Sequence, residues 1–174
     1  MKAVPLRGKV AAGRVALVDD EDYDLVMQYR WNVLEYRRKS GSTAGPYAYS
    51  SWCDGRHEFT YMHRLILPGV SEVDHEDGDG LNNQRYNLRS ATRPQNNANG
   101  SKRRTHGGRP ASSRFKGVSW HKAARKWTAQ IKGEDRQYYL GCFSDEIEAA
   151  LAYDAAARVA FGEFARLNFP EKAA

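Results

Sequence analysis

The stretch Val73-Asp74-His75-Glu76-Asp77-Gly78-Asp79-Gly80-Leu81-Asn82-Asn83, followed by Asn87-Leu88-Arg89 and then Gln95-Asn96-Asn97, decides the reading of this 174-residue chain. Val73-Asp74-His75 reads as a short strand. Gly78, Gly80 and the pair Asn82-Asn83 supply turn chemistry for a tight loop. Leu88 and Arg89 suggest the return strand. Thr92 then caps a helix with Pro94 in its first turn, where the missing N–H is harmless, running to about Asn99.

The residue types in that order suit hydrolysis of a phosphodiester. Such a site needs a base to activate water, and a cation to neutralise the phosphate and the leaving 3′ oxygen. Asp74 can supply a hard oxygen ligand for Mg2+, and His75 a base that works near neutral pH. The side-chain oxygen of Asn96 is a neutral ligand that leaves room for water and phosphate. The amide of Asn87 can bridge the loop backbone and fix His75. Glu76, Asp77 and Asp79 read as loop-shaping residues, because several more carboxylates would repel the phosphate. His63 reads as a structural residue that could also contact phosphate.

The charge pattern points to the same substrate class. Between Gln84 and Gly133 there are thirteen Lys and Arg residues and no Asp or Glu, within a chain of net charge +6. A long surface of one sign attracts a polyanion, and nucleic acid is the obvious one. Residues 100–113 hold almost no apolar side chains and cannot build a core. With Lys102, Arg103, Arg104 and Arg109 this linker reads either as a solvated tether or as a basic arm that tracks phosphates or a groove, and its single sign of charge favours the arm.

Around these segments the chain reads as α+β. Asp19 or Asp20 can cap a short helix over residues 21–29. Trp31–Tyr36, Pro46–Trp52 and Glu58–Tyr61 read as strands, and Met62–Leu67 as an apolar segment ended by Pro68-Gly69. Phe115–Trp120, Lys126–Lys132 and Gln137–Phe143 read as three antiparallel strands. Asp145, with Glu148 three residues on, starts an Ala-rich helix over Ile147–Phe161 that Gly162 ends. Cys53 and Cys142 show no metal-ligand pairing and read as packed thiols in a reducing compartment. No signal peptide or membrane-spanning apolar run is visible, so the expected setting is cytoplasmic (a bacterial host cell or nucleoid).

The ordered set Asp74-His75, Asn87, Asn96, with His63-Arg64-Leu65-Ile66 upstream, resembles the HNH endonuclease family in its phage and intron homing branch. The resemblance implies a ββα-metal unit of two strands and a helix around one divalent ion, Mg2+ or Mn2+. It implies His75 as general base, Asp74 and Asn96 as metal ligands, and Asn87 as the residue that orients the loop. The last family position is often His and is Asn96 here.

A second resemblance covers most of residues 114–170. Phe115-Lys116-Gly117-Val118-Ser119-Trp120, Lys126-Trp127-Thr128-Ala129-Gln130-Ile131, Leu140-Gly141-Cys142-Phe143, Glu148-Ala149-Ala150-Leu151-Ala152-Tyr153-Asp154 and the ending Gly162-Glu163-Phe164-Ala165-Arg166-Leu167-Asn168-Phe169-Pro170 look like the AP2/ERF DNA-binding domain. That implies a three-stranded antiparallel sheet packed on one helix, with the sheet in the major groove. By position, Lys116, Ser119, His121, Lys132 and Gln137 fall near the family's DNA-facing sites. Arg114, Lys122, Arg125 and Lys126 fall where phosphates would lie. Trp120 either faces DNA or packs on the sheet.

The resulting expectation is an N-terminal region and HNH nuclease domain over 1–99, with its core at about 71–99. A basic linker over 100–113 and an AP2-like domain over 114–170 follow. The expected activity is metal-dependent, site-specific cleavage of double-stranded DNA of the homing type, with one strand nicked per engagement. No membrane and no obligate protein partner is implied. The rival is a non-catalytic, sequence-specific DNA-binding regulator that keeps an HNH scaffold. On either reading, affinity for DNA falls steeply with salt, with a log–log slope of roughly −0.9 per phosphate neutralised. Binding titrations across NaCl concentrations check this, and a flat response contradicts a phosphate-dominated interface.

Overall fold

The computed structural model describes residues 1–37, 43–51, 59–102, 105–106 and 109–170. These fold as two compact units that divide between Thr92 and Arg93. Cys53, Arg103 and Arg104 lie outside the described residues.

In the first unit, β1 (Lys2–Pro5) pairs antiparallel with β2 (Val15–Val18). A 3-10 turn over Asp20–Asp22 leads into α1 (Tyr23–Val26). The helix is shorter than the sequence suggests because Asp19 caps nothing. Its carboxylate instead accepts from the Arg85 N–H at 2.8 Å and from Gln84 Nε2 at 3.0 Å. Strands β3 (Asn32–Arg37), β4 (Thr43–Ser50) and β5 (Thr60–Tyr61) form a three-stranded antiparallel sheet in that order. The short α2 (Met62–Ile66) follows. Then β6 (Glu72–His75) and β7 (Leu88–Ala91) pair antiparallel, with Asp74 opposite Arg89 and His75 opposite Leu88. Val4, Ala16, Val18, Val26, Trp31, Ala48 and Met62 are among the most buried members of the shared core. The Trp31 indole N–H is satisfied inside that core by the Val26 carbonyl at 2.7 Å.

The second unit opens with α3 (Arg93–Asn99) and a short antiparallel ladder of β8 (Thr105–His106) with β9 (Arg109–Pro110), inside the segment expected to be a plain linker. Strands β10 (Val118–His121), β11 (Lys126–Lys132) and β12 (Gln137–Phe143) form an antiparallel sheet in chain order. Helix α4 (Glu146–Phe161) covers it. The Asp145 carboxylate caps that helix, accepting from the N–H groups of Ile147 and Glu148 at 2.7 and 3.1 Å. Helix and sheet meet through small residues: Val118 and Ala129 on the sheet against Ala149 and Ala150, and Ile131 beside Tyr153 and Ala157. Helix α3 packs within this unit, where its Ala98 carbonyl accepts from the Arg166 N–H at 3.2 Å.

Alanine at the seam allows close approach, and Gly117 extends the same logic to the backbone. It sits at φ +75°, and a Cβ there would meet Tyr153 Cδ2 at 1.9 Å. Gly117→Ala combines left-handed strain with overpacking and costs about 3 kcal/mol. Thermal melting checks it; a variant as stable as the wild type contradicts the packing.

Candidate active site and nucleic-acid surface

The loop over residues 76–87 is built around Asn87, whose side chain is 2 % exposed. Its Oδ1 accepts from the Asp77 N–H at 2.9 Å, and its Nδ2 donates to Asp77 Oδ1 at 3.0 Å and to the Asn82 carbonyl at 2.8 Å. The Asn87 carbonyl accepts from the Glu76 N–H. The Asp77 carboxylate also accepts from Asn82 Nδ2 and the Asp79 N–H, while Asp79 accepts from the Leu81 N–H. Burial pulls the Asp77 carboxyl upward, but the hydrogen bonds from Asn82, the Asp79 N–H and Asn87 outweigh it and hold the group below the usual carboxylate range. Asp77 and Asp79 are thus loop-shaping groups in this geometry. Gly80 lets the loop pass against β4, where a Cβ would lie 2.4 Å from both the Pro46 carbonyl oxygen and the Tyr47 ring.

His75 ends β6 with its side chain buried. Its Nε2 lies 3.5 Å from Asn83 Oδ1, donating in the Nε2–H tautomer. Its ring faces that of His63 edge-on at 5.1 Å, and Tyr47 closes on both histidines at about 6 Å. Burial holds the His75 imidazole below the ordinary histidine range, although Asn83, Asp77, Asp74 and Asp79 pull the other way. His63 stacks on Tyr61 at 5.2 Å, and its buried Nδ1 has no hydrogen-bond partner among the described residues. Burial first, then His75 and Arg64, push its pKa down to about 3.

Asp74 is buried and meets Arg89 across the hairpin. Its Oδ2 accepts from both Nε and the terminal guanidinium nitrogen at 2.8 Å. Asn96 stands half-buried on α3, in the second unit. Among the described residues, no group of three or more His, Cys, Asp or Glu side chains is placed to hold a metal. The sequence-derived ligand pair is one carboxylate and one amide oxygen. A carboxylate and an amide oxygen are hard donors of the kind that suits Mg2+ or Mn2+, which keep several waters.

Sequence reasoning missed the groups that hold the loop to the N-terminal region. Arg85 grips Asp22, itself 2 % exposed, through Nε and a terminal nitrogen at 2.8 and 2.7 Å. Leu17 exchanges backbone bonds with Leu81 and Asn83 at 2.9 and 2.8 Å. Asn83, fully buried beside His75, was also missed. The only signal for these was the acidic run over 19–24, which in the sequence is indistinguishable from a solvated face.

In the second unit, strand alternation puts Ser119 and His121 on the sheet face away from α4, with Lys132 and Gln137 exposed on the neighbouring strands. His121 Nδ1 accepts from the Ala124 N–H at 3.0 Å and so shapes the β10–β11 turn. Gln137 donates to Gln130 across the sheet. Trp120 packs edge-on against Trp127 at 5.0 Å and stays 38 % exposed. Arg109, Arg114, Lys122, Arg125 and Lys126 are exposed, Arg114 lying over the Phe115 ring. Two lysines turn inward instead. Lys102 Nζ donates to the Val118 carbonyl at 3.1 Å, and Lys116 Nζ donates to carbonyls at the end of α3. Burial lowers both pKa values, with Arg166 adding to the effect on Lys116, which falls to about 8. The expectation of packed thiols fails for Cys142, which is exposed because it sits on the sheet face away from α4.

No family model matches the chain. It is 32% identical over 166 residues to an uncharacterized HNH endonuclease of Acanthamoeba polyphaga mimivirus, covering 93% of this chain and 77% of the relative. It is 43% identical over 68 residues to dehydration-responsive element-binding protein 2E of Arabidopsis thaliana, and 52% identical over 48 residues to protein 2C of the same set. These matches cover 33% and 26% of this chain, but only 28% and 14% of the plant proteins. Together the two kinds of likeness define a nuclease-type chain that also carries an AP2/ERF-like DNA-binding part. The chain belongs to the HNH endonuclease family.

The buried histidines set a pH dependence of stability. The folded-state pKa of His63 lies far below its unfolded value, so the unfolded chain takes the proton first as pH falls. Stability is whole above the unfolded pKa of about 6.5 and is lost on descending toward about 3, at up to roughly 1.4 kcal/mol per pH unit for one proton. His63→Phe keeps the stack on Tyr61 and removes the titration. Urea unfolding between about pH 7 and about pH 5 is steeper for the wild type than for this variant; equal slopes contradict the burial argument.

Proposed function

We propose that this protein is a site-specific DNA endonuclease of the homing type that nicks one strand of a duplex per engagement. The observation that carries the reading is His75. It is a buried imidazole held largely neutral, braced by Asn83 and set beside Asp74 in a loop that Asn87 closes. Likeness to an HNH endonuclease over nearly the whole chain supports it.

On this reading β6, β7 and α3 form a ββα-metal unit. Asp74 and Asn96 hold one Mg2+ or Mn2+, which when bound supplies charge neutralisation at the phosphate and the leaving 3′ oxygen. His75 takes a proton from the attacking water; in the Nε2–H tautomer the accepting atom is Nδ1. Asn87 touches no reacting atom and keeps the loop, and so His75, in register. Arg89 shares the Asp74 carboxylate and limits how much negative charge the site presents to a phosphate. The outer sheet face with Ser119, His121, Lys132 and Gln137 lies in the major groove. Arg109, Arg114, Lys122, Arg125 and Lys126 meet phosphates, and the protein works on double-stranded DNA in the cytoplasm or nucleoid of its host.

One observation favours the regulator reading: the Asp74 Oδ2 is engaged by Arg89. Cleavage of supercoiled plasmid and genomic DNA with Mg2+ or Mn2+, resolved by strand, separates the two. The wild type gives discrete nicks, and His75→Ala abolishes them while binding survives. Asp74→Asn is the better companion variant, because it removes the carboxylate charge yet keeps a side-chain oxygen to accept from the Arg89 guanidinium. Binding with no metal-dependent cut in the wild type sinks the nuclease reading.

A further inference from the structure

We infer that Lys116 is a positioning residue: its ammonium fastens the C-terminal end of α3, the helix that carries Asn96, to the segment leading into the recognition sheet. The inference rests on the nuclease reading above and reassigns a lysine that the sequence places among the DNA contacts.

A helix end leaves orphan carbonyls, and an ammonium with three donors can satisfy several at once. Lys116 Nζ donates to the carbonyls of Ala98, of Gly100 at 2.6 Å and of Asn97 at 3.4 Å. Its own backbone is fixed from the other side. The Lys116 N–H donates to Asn168 Oδ1 at 2.6 Å, and the Lys116 carbonyl accepts from Asn168 Nδ2 at 3.1 Å. Asn168 is in turn held by Asp154 of α4, which is 3 % exposed and accepts from the Asn168 N–H at 2.8 Å and from Nδ2 at 3.0 Å. The next residue, Gly117, is wedged against Tyr153. A continuous set of hydrogen bonds, part-buried between α4, Asn168 and the Lys116 backbone and more exposed at the ammonium, therefore runs from α4 through Asn168 and Lys116 to α3.

The helix needs that anchorage. Seven residues make about two turns, too few to be stable alone, so its position comes from what it packs on. Because the anchor is the same body that presents the sheet, DNA seated on the sheet fixes where Asn96 stands relative to the duplex. Recognition and placement of a ligand for the ion become one rigid-body event. A lysine committed to three carbonyls is suited to this and not to tracking a phosphate.

The test uses full-length protein with Lys116→Met, which keeps the stem and removes the charge, and Lys116→Arg, which keeps the charge. DNA affinity is measured beside single-turnover nicking at saturating DNA across a Mg2+ titration. Lys116→Met should bind within about twofold of wild type, yet nick roughly tenfold slower or worse, with half-saturation moved to higher Mg2+. Lys116→Arg should recover most of the rate. Three results would each overturn the inference. They are an unchanged rate and Mg2+ dependence in Lys116→Met, a parallel loss of affinity and rate that makes Lys116 a DNA contact or a mere support, and no recovery in Lys116→Arg. A wild type that binds but never nicks removes the nuclease reading itself, whereas active wild type with normal variants removes only the role of Lys116.

Discussion

The reciprocal bonds between Asn87 and Asp77 are the constraint on which the rest of the first unit depends. β6 and β7 are too short to fix their own register against the entropy of the intervening loop. Asn87 closes that loop from inside by binding the Asp77 N–H, the Asp77 carboxylate and the Asn82 carbonyl together. Each bond nets only about 1 kcal/mol, but leaving its buried partner unmade costs about 1–3 kcal/mol, which is why one amide can govern the whole turn. With the loop closed, Asn83 sits beside His75 and Gly80 lies against β4.

The N-terminal region completes this arrangement. Asp19 and Asp22 would be a self-repelling acidic run if solvated. Folded, they hold Gln84 and Arg85, and the backbone of Leu17 joins the loop at Leu81 and Asn83. Hydrogen bonds from Gln84 and from the Arg85 N–H draw the Asp19 carboxyl below its usual range. The first strands and α1 therefore support the loop chemistry, whatever else they do.

Much of this was legible in the sequence, and the reasons are specific. Alternation and aromatic content mark strands sharply, and the spans Lys126–Lys132 and Gln137–Phe143 expected from them match β11 and β12 to the residue. The spacing of Asp145 to Glu148 marks a helix cap in the sequence, and Asp145 caps α4 in the fold. The β6 and β7 positions followed from the Gly and Asn between them. What could not be read was tertiary. Asp19 looks like a helix cap until Arg85 arrives from 66 residues away. Lys116 falls by position near the family's DNA-facing sites, and only the fold shows that α3 offers its ammonium three carbonyls. The ladder of β8 and β9 hides in a composition that has no core to build.

The central claim is that His75, Asp74 and Asn96 act on one phosphate through one ion. A crystal structure of the protein bound to the duplex it cuts, with Mn2+ located by its anomalous signal, tests that most directly. The account predicts a single ion on the oxygens of Asp74 and Asn96, with a backbone phosphate beside it and the His75 ring facing that phosphate. An ion held by other residues, or a phosphate path that bypasses His75, would contradict it.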